Sequence, residues 1–120
     1  MLYVDGFLLA VPKNLLPIYR RMAIKAGKIW REHGALEYRE CVGDDMNVKI
    51  GMPFPKVIKP KPGETVIFSW IVFKSRAHRD RVNDKVMKDP RLAKMTDQEP
   101  MPFDCKRMAY GGFKTLVDLA

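Results

Sequence analysis

From Leu2 to Val11 the chain reads LYVDGFLLAV, with apolar side chains on both faces of an extended strand, interrupted at Asp5 and Gly6 and stopped by Pro12. The period then changes. Asn14 stands as the cap of a helix whose first turn tolerates Pro17, and Leu15, Tyr19, Met22, Ala26, Ile29 and Trp30 recur by threes and fours up to a stop at Gly34. Alternation returns over 35–43, ALEYRECVG. The run ETVIFSWIVF, 64–73, has the densest strand formers in the chain. Ser75 caps a second helix to about Lys88 that carries Ala77, Val82, Val86 and Met87. Asp89-Pro90 restarts a short helix, and KRMAYGGF, 106–113, supplies a last strand.

This order, β-α-β-β-α-β, predicts an α+β, ferredoxin-like fold in one domain spanning 1–120, with both helices on one face. The expected sheet order is 4-1-3-2, antiparallel apart from a parallel central pair, with the first and last strands as neighbours. Gly6 and the pair Gly111-Gly112 then fall near one another. Glycine inside a strand marks a bulge or a close approach, so a gap there would admit a ligand or a partner's aromatic ring, or serve packing alone.

Two helices cover only one face of such a sheet, yet both faces read as apolar. In the first strand Tyr3, Phe7, Leu9 and Val11 alternate with Val4, Leu8 and Ala10; in the third, Val66, Phe68, Trp70 and Val72 alternate with Ile67, Ile71 and Phe73. An uncovered face of four strands presents roughly 400 Å² in projection, near the limit for a monomer's surface patch. The pattern therefore predicts a homodimer packed sheet to sheet, a dimeric α+β barrel.

The segments YVDGF, ECVGDD, ETVIFSWIVF, SRAHRDRVNDKVMKDPRL and MPFDCKRMAYGGF together resemble the YbaA-like family of small uncharacterised bacterial proteins, a domain of unknown function in the dimeric α+β barrel superfamily. The resemblance runs over essentially the whole chain. It implies the same dimer and brings no established activity or catalytic residues. In the wider superfamily, haem-degrading monooxygenases work without a flavin or metal of their own, using an Asn on strand one, a Trp on strand three and a His near the second helix. Asp5, Trp70 and His78 occupy comparable elements, so the superfamily resemblance makes them candidate catalytic residues of a cofactor-independent monooxygenase-like enzyme.

Composition narrows the remaining classes. The 120 residues carry a net charge of +8, but aromatic residues do not interleave with the basic ones. Arg21, Lys25, Lys28 and Arg31 read as the solvated face of the first helix, and nucleic acid is the weaker partner. No stretch approaches a membrane span, and the start of the chain lacks the basic residues of a signal peptide. Cys41 and Cys105 are too few for a disulfide scaffold, which places the protein in the cytoplasm, and both read as inert packing residues. His33 and His78 have no ligand spacing, so no metal or cofactor is expected.

Asp5, Glu40, Ser69 and Arg107 interrupt apolar strands. Asp5 and Arg107 are expected to meet across strands one and four, either as a buried pair or as part of a ligand site with Trp70 and Tyr110. Segment 44–63 is proline-rich and aperiodic, and reads either as a lid over a pocket or as an arm wrapping a dimer. The leading functional expectation is a pocket between sheet and helices that binds, and beyond that transforms, a small organic molecule. The alternative is a non-enzymatic dimer that presents a basic surface.

Overall fold

The strands are β1 (Tyr3–Pro12), β2 (Glu37–Val42), β3 (Glu64–Phe73) and β4 (Ala109–Lys114), arranged β2-β3-β1-β4 in one open sheet. The structure is a computed structural model describing residues 1–97 and 101–119. The strand order is the expected one, but the central pair is not parallel. Tyr3 faces Phe73 and Pro12 faces Glu64, so β1 and β3 are antiparallel, like the other two pairs. The cause is topological. The crossover from β1 leaves β2 parallel to it, and β3 inserts between the two running the opposite way.

The crossover helix, α1 (Leu16–Glu32), follows a 3-10 turn at Lys13–Leu15, so Asn14 lies in that turn and does not cap the helix. Pro17 sits in its first turn, where a missing N–H costs little. Gly34, at φ 118°, ends the helix as expected. Within the connection from β2 to β3, a short helix, α2 (Phe54–Ile58), breaks the aperiodic segment. Ser75 caps α3 (Arg76–Met87) by accepting from the His78 amide, and Asp89 caps α4 (Pro90–Thr96) by accepting from the Arg91 amide. The last strand begins at Ala109 rather than 106, because Asp104 caps a 3-10 turn over Cys105–Arg107.

One sheet face carries the core. Phe73, Ile71 and Tyr3 pack with Ile29, Val82, Val86 and Met95, while Leu9, Val11 and Ile67 pack with Tyr19. The other face carries Phe68, Trp70 and Phe113. Among the described helices α2 reaches it, with the Phe54 and Phe68 rings 5.9 Å apart. Segment 44–63 therefore runs over the face away from the three longer helices, and does not roof a pocket beneath them.

The paired glycines also find their answer here. Gly6 faces Gly111 across β1 and β4, and the Phe113 ring lies over both, 3.4 Å and 3.7 Å from where their Cβ atoms would stand. The gap is filled from within the same chain. Gly112 serves the opposite face, where a Cβ would overlap the Arg79 guanidinium and stand 2.5 Å from the Tyr3 oxygen.

Candidate functional site

Strand register sets one row of side chains across the helix-covered face: Tyr110, Phe7, Ser69 and Glu40, contributed in turn by β4, β1, β3 and β2. Above its Ser69–Glu40 end lies a cavity of about 210 Å³. Helix α1 walls it with Tyr19, Met22, Ala23, Ala26 and Trp30, positions three, four and seven apart that share one face. Met95 of α4 and Phe103, Cys105 and Met108 of the approach to β4 close the far side.

The polar feature of this cavity is a carboxylate held by two phenols. Tyr38 donates to Glu40 Oε2 at 2.6 Å, and Tyr19 donates to Oε1. Burial first, and the adjacent carboxylate second, push both phenols well above the ordinary tyrosine range, so both remain O–H donors. The arrangement depends on Gly27. A Cβ there would stand 2.7 Å from the Tyr38 ring, so glycine lets α1 lie directly on Tyr38. Two phenols occupy two of the roughly four acceptor positions of a carboxylate, leaving the others for a ligand.

A second polar network lies beside the first. Asp5, only 1% exposed, accepts from Asn83 Nδ2 at 3.2 Å and has Arg79 Nε 3.3 Å from its Oδ1. Asn83 in turn accepts from the Trp30 indole at 2.9 Å, which links this network to the cavity wall. Arg79 also donates to the Tyr3 hydroxyl at 3.1 Å and lies over its ring. Burial lifts the Asp5 carboxyl above its ordinary value against the opposing pull of Asn83 and Arg79.

The expected partner of Asp5 was Arg107, and the structure pairs them differently. Arg107 binds both oxygens of Glu64, at 2.9 Å and 2.7 Å, because it lies in the turn ahead of β4 and reaches the start of β3. Asp5 sits in mid-strand, opposite Gly112, whose missing side chain makes room for Arg79. Tyr110 stands beside Asp5, with its ring stacked on Phe7 at 4.8 Å. Trp70 shares its register row with Gly6 and Arg39, and its ring meets Phe68 on the opposite sheet face. His78 closes the turn into α3, accepting the Lys74 amide on Nδ1 at 2.9 Å, and burial followed by Lys74 holds its imidazole below the ordinary value. Asp5, Trp70 and His78 thus do not converge on one site within a subunit. Cys41 and Cys105 are free and exposed rather than packed, since Cys41 points out from edge strand β2 and Cys105 lies in the surface turn.

Comparison with known proteins gives the chain its relatives. A family model described as DUF1428, protein of unknown function, matches residues 2–105. The uncharacterized protein YbaA of Escherichia coli is 44% identical over 118 residues, covering 98% of this chain and 99% of that protein; YbaA of Shigella flexneri matches equally. Among solved structures, Rv0793 from Mycobacterium tuberculosis superposes with a TM-score of 0.60 at 12% identity, over 100% of both chains. An uncharacterized NIPSNAP domain protein from Burkholderia xenovorans gives 0.60 at 13% identity, over 96% of this chain and 94% of that one. At such identities the likeness is one of fold: an antiparallel four-stranded open sheet with helices.

Proposed function

Because this chain belongs to the DUF1428 family, which is defined by sequence and not by an activity, we propose that it is a cytoplasmic homodimer and, from its geometry, that it binds a small, largely apolar organic molecule in the cavity between sheet and helices. The observation that carries the proposal is the cavity itself, about 210 Å³ with apolar and aromatic walls and a convergent polar group, Glu40, fixed by two phenols. Binding sites are built this way, with apolar walls for affinity and a few placed polar groups for orientation.

The dimer reading rests on surface. The subunit exposes 8388 Å², whereas size scaling gives about 6,700 Å² for a compact monomer of this mass. Much of the exposed apolar surface is on or beside the face away from the cavity: Phe68 is 44% exposed, Phe113 63% and Phe54 46%. A second copy packed on that face would bury them, with segment 44–63 as an arm at its edge.

Native mass spectrometry of freshly purified protein tests the binding reading. A noncovalent adduct is expected on the wild type and lost in Ala26→Phe, which fills the cavity from α1. An Ala26→Phe variant that folds, gains stability and still carries the adduct would place the ligand elsewhere.

A further inference from the structure

The charge lining the cavity is one-sided. Among its described lining residues there is a carboxylate, Glu40, and no Lys, Arg or His. Among the described residues, none of the ion pairs involves Glu40. Such a pocket is unexpected in a chain of net charge +8. The contrast sharpens on the other side of the same three side chains. There Tyr19, Tyr38 and Glu40 also border an open groove of about 1170 Å³ between α1 and β2, where the cations Arg20, Lys28, Arg31 and Arg39 stand with the carboxylates Glu32 and Glu37. Two of those cations are already engaged, Arg31 with the carbonyls of Ala35 and Leu36, and Arg39 with Glu37. The triad thus separates an open groove that holds both cations and carboxylates from an interior whose one described charged side chain is Glu40.

A half-buried carboxylate gains from a cation that enters its cavity, since pairing offsets the cost of taking it from water. The walls favour the same sign of ligand. The rings of Trp30 and Tyr38, with centroids 6.2 Å apart, stand with Tyr19 and Phe103 around the cavity, and aromatic faces attract cations. Met22 and Met95 add polarizable, adaptable surface for an apolar substituent. Deepening the cavity reading above, on which this inference rests, we infer that the ligand is an organic ammonium ion: a small amine with an apolar substituent, its nitrogen on Glu40 and its substituent against Met22, Ala26 and Trp30.

Titration calorimetry of the wild-type protein with 2-phenylethylamine, 2-phenylethanol and 3-phenylpropanoate tests it. These probes share an aromatic end and differ in the charge of the other. The amine should bind about tenfold or more tightly than the alcohol, and the acid should not compete. In Glu40→Gln the amine should lose most of its advantage over the alcohol, and an advantage that survives intact would overturn the assignment of its nitrogen to Glu40. If the alcohol or the acid equals the amine in the wild type, the ammonium assignment is overturned, whatever the variant does. The cavity reading then survives provided Ala26→Phe abolishes the binding that remains. If none of the three probes binds the wild type, both readings fall together.

Discussion

Gly27 stands in the middle of a seventeen-residue helix, where glycine costs roughly 1 kcal/mol relative to alanine. Helix propensity alone would therefore make Gly27→Ala stabilising. The 2.7 Å approach of Tyr38 reverses that expectation, because the new methyl group must displace a ring fixed by its bond to Glu40. Gly27→Ala should destabilise the protein by about 1–2 kcal/mol. A urea midpoint at or above the wild-type value would mean that the ring yields freely and does not position Glu40. This glycine was not legible in the sequence, because its reason lies on β2, eleven residues away. Glu40 was legible only as a charge inside a strand. Its two phenols come from different elements, and no local pattern joins them. Asp5 was likewise legible as a buried polar group, but its partner Arg79 comes from a helix and not from a neighbouring strand.

Elements with a strong period were readable to within a residue or two, and those built from caps and turns were not. The run 64–73 is β3 with no change of boundary, since β-branched or aromatic side chains stand at every position but Glu64 and Ser69. The approach to β4 was read as strand. Of the residues so read, 106–108 lie outside the strand: Met108 lines the cavity, and Arg107 ties the turn down to Glu64. That tie has a pH signature. Arg107 holds the Glu64 carboxyl at about 2, below its ordinary value. A carboxyl depressed in the folded state stabilises fully above its unfolded pKa, and the contribution is lost as pH falls through the folded value. Thermal melts between pH 5 and pH 2, taken as order-of-magnitude bounds for carboxylates, should decline less steeply in Arg107→Gln than in the wild type. Parallel profiles for the two proteins would show that the tie contributes nothing to acid sensitivity.

At the scale of the whole molecule the subunit is broad and thin, with extents of 38 × 38 × 22 Å. Its Cα radius of gyration is 15.1 Å, where a compact chain of this length has about 13.6 Å. One sheet with its three longer helices on one side and only the short α2 on the other has this shape, and a second sheet against it would give a more compact body. Light scattering after size exclusion should report twice the 13.9 kDa chain mass. Phe68→Lys, which puts an ammonium among the rings of Phe54 and Trp70, should reduce that to the single-chain mass while the circular dichroism stays native. A wild type that runs as a monomer at micromolar concentration would remove the dimer from the account. Alternation made the two apolar faces visible in the sequence; the relative direction of the central strands was misread because the path of the chain, not its residues, determines it.

The placement of β1 between β3 and β4 also bears on how the protein comes into being. Tyr3 pairs with Phe73 on one side and with Lys114 on the other, so the first residue of the first strand waits for partners made seventy and more than a hundred residues later. On the ribosome, LYVDGFLLAV remains an apolar segment with two unpaired edges through most of synthesis, the kind of stretch that recruits holding chaperones or pairs wrongly between nascent chains. Closure of the sheet is deferred until residues 109–114 have emerged. A ribosome that stalls before them releases a chain whose central strand has one edge open.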